Sequence, residues 1–223
     1  MRSSSIYFSL LVISTAVALV PALNPVMDVA ATGFFLQPNP PVRPADWWWV
    51  DLINEYVPAV FRTLVVLSWL AWIFSGRSVW LKRHVQTFAF VALAGLIGPG
   101  LLVGAVKDTT LRARPFHVTE FGGTRQFHPP LALANQCDDN CAFVSGHTSD
   151  GFFFVTLMLI DPRRRKRWII IGLCAGLIIG FARVSVGAHW LTDVLWAMPV
   201  TLIGSWIAWA ILSRWYPEKR LCV

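Results

Sequence analysis

Charged residues are scarce in this 223-residue chain, in which Asp, Glu, Lys and Arg together make up only 14% of the sequence. A soluble domain normally carries about 25% charged residues. Hydrophobic residues instead account for 56% of the chain. The composition therefore argues against a soluble globular protein and favours one that is embedded in a membrane.

Cysteine is also rare, with four residues in the chain. Cys137 and Cys141 lie four positions apart in QCDDNCAF, but no second pair of ligands accompanies them, which disfavours a structural metal site. They either form a small disulfide loop in an oxidising compartment or remain free thiols. Cys174 lies in an apolar run and Cys222 near the carboxyl terminus, where we expect reduced thiols.

Apolar runs dominate the rest of the sequence. A helix needs roughly 20 mostly apolar residues to cross a bilayer. Six segments approach this length, and the fourth and fifth reach it only with their polar flanks. We predict that the spans are 6–23, 57–75, 86–106, 146–160, 168–182 and 194–212. No internal repeat or long linker separates them, which indicates a single membrane-embedded domain over residues 1–223.

Lys and Arg residues indicate which way each loop faces, because they collect in cytoplasmic loops. Most of them lie at the two termini and in alternate loops: Arg2; Arg77, Lys82 and Arg83; the block 163–167; and Arg214, Lys219 and Arg220. We therefore predict that both termini are cytoplasmic and that loops 24–56, 107–145 and 183–193 face outward. This distribution accounts for the net charge of +7, and no nucleic-acid partner is expected.

Two segments outside the clear spans need separate interpretation. MRSS followed by IYFSLLVISTAVALVPAL also resembles a secretory signal peptide, but we favour a retained helix because six spans agree with two cytoplasmic termini. In the outward segment 24–56, ADWWWVDLINEYV predicts a separate helix that lies in the membrane interface, where tryptophan is enriched.

Polar residues suited to catalysis are found in the outward loops. They are Lys107 and Arg114; Ser145, Gly146 and His147, where the fourth span begins; and Arg183, His189 and Asp193. Three cations brought together repel one another unless an anion lies between them, and a phosphate dianion suits the paired hydrogen bonds of arginine. Free backbone N–H groups at the start of a helix would strengthen such a site. The same cations would repel a divalent metal, so we predict no metal and no cofactor.

The spacing of His189 and Asp193 suits a nucleophilic histidine. Residues four apart share one face of a helix, so the carboxylate can orient the imidazole and leave its other nitrogen free to attack phosphorus. His147 comes from a different helix and can donate a proton to the departing oxygen. We interpret the remaining polar residues of this region as headgroup-facing or solvated side chains: Arg62, Arg112, Arg125, His117 and His128.

These residues fall into three motifs that resemble those of the type 2 phosphatidic-acid-phosphatase family. The motifs are KDTTLRARP from Lys107 to Pro115; VSGH, with Val144 in place of the family's proline; and ARVSVGAHWLTD, with Ala182 in place of the family's serine. The resemblance implies a phosphohistidine on His189, oriented by Asp193, with His147 as the acid that later helps to activate water. It also implies that the three cations and the segment 145–146 hold the phosphoryl oxygens without a metal.

The predicted fold is an all-α integral membrane protein, a six-transmembrane-helix bundle with an interfacial helix and an active site at the periplasmic edge. The resemblance places it in a bacterial inner membrane and implies hydrolysis of a lipid phosphate or pyrophosphate. Candidate substrates are a lipid A phosphate, undecaprenyl pyrophosphate and phosphatidylglycerophosphate, and NCAFVSG is similar to the corresponding region of lipid A 1-phosphatases. The alternatives are a lipid-to-lipid phosphotransferase, a vanadate-dependent haloperoxidase, and a non-enzymatic transporter or binding protein for anionic lipids.

Overall fold

A computed structural model describes residues 2–38 and 40–216 of the chain. Within these ranges the protein is helical and forms no β-strand. Its helices are α1 (Arg2–Leu23), α2 (Val26–Leu36), α3 (Trp48–Ile73), α4 (Val79–Arg83), α5 (Val85–Gly95), α6 (Val103–Thr110), α7 (Gly146–Thr156), α8 (Arg165–Ser185) and α9 (Leu191–Trp215). A π-helical segment, Leu96–Leu102, joins α5 to α6. The basic residues Lys219 and Arg220 and the thiol of Cys222 lie outside the described residues.

Five segments of the described chain are long and apolar enough to cross a membrane: Ser4–Leu23, Trp48–Ile73, Val85–His117, Pro162–Ser185 and Leu191–Trp215. They correspond to five of the six predicted spans. The predicted span 146–160 instead forms the 11-residue α7 and a 3₁₀ turn, Leu157–Leu159. The all-helical, membrane-spanning character of the chain is therefore confirmed, whereas the count of six spans is not.

α7 is enclosed mainly by neighbouring helices. Eight of its 11 residues are buried, and it packs against α3, α8 and α9. Glycine permits the close approach of α7 to α8, because a Cβ atom at Gly172 would lie only 2.4 Å from the backbone nitrogen of Val155. Its protein surroundings explain why α7 stands in the middle of the bundle although it is shorter than the other predicted spans.

The predicted interfacial helix is wrong as a separate element. The tryptophan-rich stretch forms the first turns of α3, which continues without interruption to Ile73. No glycine lies between Trp48 and Ile73, and Pro58 is accommodated inside the helix, so nothing ends the first helical segment before the span begins. A short apolar helix does lie within residues 24–56, but it is α2, which ends at Leu36, 12 residues before α3 begins at Trp48.

The core of the bundle is aromatic and aliphatic. Phe90 of α5, Phe153 of α7 and Leu202 of α9 are among its buried side chains. Tyr7 of α1 is also fully buried, and its hydroxyl donates to the carbonyl oxygen of Leu202 at 2.8 Å. This contact ties the first apolar run to the rest of the bundle.

The ends of several helices meet at one end of the bundle, where the predicted catalytic residues lie. α6 and α8 finish there, whereas α3, α7 and α9 begin there. α8 runs away from its basic start at Arg165 and reaches this end at Ser185. The basic block 163–167 and the predicted catalytic residues are therefore at opposite ends of α8.

Candidate active site

The structure brings the second and third motifs into direct contact. The backbone N–H of Ser145 donates to the carbonyl oxygen of Asp193 at 3.0 Å, which joins the starts of α7 and α9. After α8 the chain turns at Gly187, whose φ of 67° lies in the left-handed region that glycine adopts readily. This turn allows the N–H of His189 to donate to the carbonyl oxygen of Arg183 at 3.2 Å.

His189 and Asp193 form the buried centre of the site. The Nδ1 atom of His189 lies 3.4 Å from Oδ2 of Asp193, and the side chains are 1% and 0% exposed. This separation is long for a hydrogen bond, but catalytic hydrogen bonds often shorten only when the substrate is bound. Oδ2 also accepts from the backbone N–H of Trp190 at 2.8 Å, which fixes the carboxylate beside the ring. Nε2 of His189 has no hydrogen-bond partner among the described residues.

The surroundings of His189 keep its imidazole neutral. Burial lowers the pKa of His189 well below its usual value of 6.5, and the positive charges of Lys107, Arg183 and Arg114 lower it further. A neutral imidazole with one nitrogen turned towards a carboxylate keeps a lone pair on the other nitrogen. The ring is therefore suited to act as a nucleophile.

The three predicted cations surround His189 without carboxylate partners. Among the described residues, Lys107, Arg114 and Arg183 form no ion pair. Arg183 is 7% exposed, its guanidinium donates to Oδ1 of Asn54 at 2.6 Å, and its buried Nε–H has no partner in the described chain. A buried guanidinium with an unused donor is well suited to bind an anion.

A small loop holds the other two cations. Cys137 and Cys141 form a disulfide, which is the first of the two alternatives that their spacing left open. The Nζ atom of Lys107 donates to the carbonyl oxygen of Cys141. Arg114 donates from Nε and from a terminal nitrogen to the carbonyl oxygen of Asn140, at 3.0 and 2.7 Å. The disulfide loop thus positions both cations through its backbone oxygens.

The start of α7 supplies the remaining predicted residues. Ser145 is the N-cap, as its sequence position indicated, and its hydroxyl oxygen accepts from the hydroxyl of Thr148 at 2.8 Å and from the backbone N–H of Thr148 at 3.4 Å. Gly146 is the first residue of the helix. His147 follows, with Nε2 lying 3.1 Å from the carbonyl oxygen of Asn54 on α3.

The interpretation of Arg112 as a solvated or headgroup-facing side chain is wrong. Arg112 is 1% exposed, and its guanidinium donates to Asp193 and to Asp28, at 2.7 Å in each case. Its position between Lys107 and Arg114 was a weak signal that it belongs to the site. Arg125, by contrast, is exposed and pairs with Asp138 at 2.6 Å.

Two further residues of the site gave no signal in the sequence. Asn54 contacts both His147 and Arg183, although it is 93 and 129 positions away from them. Asp28 lies on α2 and reaches the start of α9, 164 positions away, where it accepts hydrogen bonds from Thr192. Neither residue belongs to a motif, and only the packing of α2 and α3 against the catalytic end brings them into place.

Comparison with known proteins connects this geometry to named relatives. The PAP2 superfamily profile matches residues 87–217, which include all three motifs. The chain is 33% identical to a lipid A 4'-phosphatase of Francisella tularensis subsp. novicida over 163 residues, 72% of each chain. It is 34% identical to a lipid A 1-phosphatase of Rhizobium etli over 124 residues, 54% of this chain and 49% of the relative.

A solved structure shares the fold. It is a transmembrane PAP2-type phosphatidylglycerolphosphate phosphatase from Bacillus subtilis, and it superposes with a TM-score of 0.55 over 98% of this chain and 100% of the other. The two sequences are only 17% identical, so the likeness concerns the arrangement of the helices.

Proposed function

The chain belongs to the PAP2 superfamily and is a membrane phosphatase, and from this premise we propose that its substrate is a lipid A phosphate. One observation carries the phosphatase chemistry: a buried imidazole, backed by Asp193, faces three cations that have no carboxylate partner among the described residues. Such a site attracts a dianion and presents a nucleophile to it. A phosphate monoester at headgroup depth satisfies both requirements. The choice of lipid A rests on the named relatives.

The reaction proceeds in two balanced steps. Nε2 of His189 attacks phosphorus, the ester P–O bond breaks, and His147 donates a proton to the departing alcohol oxygen. Water then attacks the phosphohistidine, the N–P bond breaks, and His147 takes up a proton from the water as inorganic phosphate forms. Lys107, Arg114, Arg183 and the N–H groups of segment 145–146 hold the phosphoryl oxygens in both steps.

Asn54 supports the role of His147. Its carbonyl oxygen lies 3.1 Å from Nε2, so we assign one ring proton to Nε2. Burial and the charge of Arg183 lower the pKa of His147 to about 4 without substrate. A bound phosphate dianion offsets this positive charge, so in the substrate complex the ring carries a second proton on Nδ1. Nδ1 is then the nitrogen that receives and returns the catalytic proton. The side-chain oxygen of Asn54 also accepts a hydrogen bond from Arg183. Asn54 thereby fixes the position of the proposed acid, His147, relative to one of the phosphate-binding cations.

The position of the phosphate on lipid A follows from the relatives rather than from the site. The similarity to the 4'-phosphatase extends over more of the chain than the similarity to the 1-phosphatase. We therefore favour the 4'-phosphate, in place of the 1-phosphate that NCAFVSG suggested. Undecaprenyl pyrophosphate and phosphatidylglycerophosphate remain the comparison substrates.

Charge supports a periplasmic site in a bacterial inner membrane. The basic block 163–167 lies at the end of α8 opposite to Arg183, and cytoplasmic loops collect such residues. If α7 with its 3₁₀ turn counts as a sixth, short crossing, both termini lie on the cytoplasmic side. The catalytic end of the bundle then faces the periplasm, where a disulfide between Cys137 and Cys141 persists.

We expect the purified protein to release phosphate from lipid A with a higher kcat/KM than from undecaprenyl pyrophosphate or phosphatidylglycerophosphate. Mass spectrometry of the product identifies the position that is lost. Because cations rather than a metal bind the phosphate in this proposal, a chelator leaves the rate unchanged. Vanadate inhibits, because it binds as an analogue of the transferred phosphoryl group.

The outcomes separate the alternatives. Loss of turnover with a chelator and recovery with zinc would contradict the metal-free mechanism. Appearance of the phosphate on an added acceptor lipid would identify a phosphotransferase, and bromide oxidation with peroxide and vanadate a haloperoxidase. Binding of lipid A without any phosphate release would favour the non-enzymatic alternative.

A further inference from the structure

Asp150 is a buried carboxyl group that the proposed reaction does not use. It lies on α7, three residues after His147, and is 8% exposed. It forms no hydrogen bond or ion pair with any residue in the described part of the chain. Because buried polar groups are nearly always hydrogen-bonded, an unpartnered carboxyl group indicates a place for a ligand.

Asp150 lies where two clefts meet. The larger cleft has a volume of about 590 Å³ and extends from Gly146 and His147 along α3 to Pro99. The smaller has a volume of about 330 Å³ and lies between α3, α7 and α8, where its walls include Tyr56 and Ile179. Asp150 and Phe61 line both clefts, so the two are adjacent across a shared floor.

The clefts have the character of a lipid-binding site. The larger one reaches His147; its polar lining residues are Arg62, Asn140 and Asp150, and the rest of its wall is apolar, with Val65, Val66 and Leu96. The smaller one is apolar along nearly all of its wall. Clefts of a few hundred Å³ with apolar walls and one or two polar groups are typical of small-molecule sites. Apolar chains attached to a phosphate at His147 would extend into these clefts.

We propose that the two clefts receive the acyl chains of the substrate and that Asp150 accepts a hydrogen bond from an amide N–H or a hydroxyl group of that lipid. This inference rests on the proposed function. A carboxyl group keeps an acceptor oxygen whether it is ionised or protonated. One helical turn separates Asp150 from His147, so the donor group lies close to the phosphate, near the attachment of the chains. Lipid A carries amide-linked hydroxyacyl chains and offers donors of both kinds.

Comparing two substrate lipids can distinguish a hydrogen bond to Asp150 from general lipid binding. Ceramide 1-phosphate has an amide N–H and a hydroxyl group near its phosphate, whereas phosphatidic acid carries only ester-linked chains. We expect Asp150→Leu to lower the ratio of kcat/KM for ceramide 1-phosphate to that for phosphatidic acid by about tenfold, the size typical of one lost hydrogen bond to a buried or charged group. Asp150→Asn keeps a carbonyl acceptor and should retain most of the ratio.

Asp51→Leu is the matched control, because Asp51 is an exposed carboxylate on α3 that lines neither cleft. It should leave the ratio unchanged. An unchanged ratio in Asp150→Leu, or an equal loss with both lipids, overturns the hydrogen bond to Asp150. If the unmodified protein releases phosphate from neither these lipids nor lipid A, the proposed function itself fails.

A separate observation concerns the support of Asp193. The guanidinium of Arg112 bridges Oδ1 of Asp193 and Oδ2 of Asp28, both at 2.7 Å. Asp28 in turn accepts from the backbone N–H and the hydroxyl of Thr192, at 2.8 and 2.6 Å. All four side chains are almost fully buried. Asp28 lies outside the residues 87–217 that the superfamily profile matches.

We infer that Arg112 and Asp28 are positioning residues for Asp193 and, through it, for His189. Arg112 holds one oxygen of Asp193, so that the other faces the imidazole. Asp28 shares the charge of Arg112, which leaves Asp193 with more negative charge to direct at His189. The pair therefore affects attack by His189 without contacting the substrate.

We expect Asp28→Asn to lower kcat about 10- to 100-fold. Losses of this size are common when a residue that orients a metal-binding side chain is removed, and Asp28 orients Asp193 and His189 in a comparable way. The KM and the inhibition constant of inorganic phosphate should stay constant, because the three cations that bind phosphate are untouched. Arg112→Lys keeps one charge but cannot bridge both carboxylates, so it should retain part of the activity that Arg112→Gln loses. Unchanged kcat in Asp28→Asn, or a parallel loss of phosphate binding and kcat, overturns the positioning role.

Discussion

His189→Ala should abolish phosphate release, with kcat lowered by about 10⁴-fold or more, as is found when a covalent nucleophile is removed from an enzyme. The imidazole of His189 is buried, lacks a hydrogen-bond partner at Nδ1 among the described residues, and lies 3.4 Å from Asp193. The measurement is steady-state release of inorganic phosphate from lipid A in detergent micelles.

Three further results make the assignment specific. The unmodified protein, quenched in alkali after mixing with labelled substrate, should carry a phosphoramidate on His189, and the alanine variant should carry none. Inorganic phosphate should still bind the variant, because Lys107, Arg114 and Arg183 remain. His117→Ala is the control, since His117 is an exposed loop histidine. Full activity in His189→Ala would refute the nucleophile.

The sequence was sufficient to place the residues that act through short spacing. The spacing of four between His189 and Asp193 predicted that they lie close together, and they do. They do not share a helical face, because His189 precedes Trp190, the N-cap of α9, and Asp193 lies in the first turn of that helix. The motifs containing Lys107, Ser145 and Arg183 follow one another at the polar ends of apolar runs. Their convergence at one end of the bundle follows from the alternation of loops across a membrane.

The residues that support the site could not be found in this way. Asn54 and Asp28 reach their partners across 129 and 164 positions, and such contacts arise from packing of whole helices. Arg112 was misinterpreted because a lone arginine in a polar loop is usually solvated. Its burial depends on two carboxylates from different helices, and no local pattern reports that arrangement.

The predicted bounds of the helices were likewise correct where they depend on local sequence and wrong where they depend on tertiary packing. Hydropathy located the apolar runs because lipid contact requires them. It overestimated α7, which is enclosed by protein and therefore does not need a full crossing length of its own. It also divided α3 in two, since tryptophan indicates membrane depth but does not end a helix.

His147→Ala should lower kcat with an alkyl phosphate such as lipid A by about 10²- to 10⁴-fold, the usual contribution of a general acid. An alkoxide is a poor leaving group without a proton. A nitrophenolate leaves readily without one, so formation of the phosphohistidine from p-nitrophenyl phosphate in the first turnover should be slowed far less. A defect in folding or in phosphate binding would slow both substrates equally. The ratio of the loss with lipid A to the loss with p-nitrophenyl phosphate therefore measures proton donation alone.

With p-nitrophenyl phosphate, hydrolysis of the phosphohistidine should then limit the turnover rate of His147→Ala. Because His147 also takes a proton from water, the phosphohistidine should accumulate in His147→Ala and decay slowly, whereas it is short-lived in the unmodified protein. His189→Ala cannot form this intermediate at all, so the two histidines give opposite results in the same quench experiment. An equal loss of first-turnover rate with both leaving groups would exclude His147 as the acid and leave it as a residue held by Asn54 near the site.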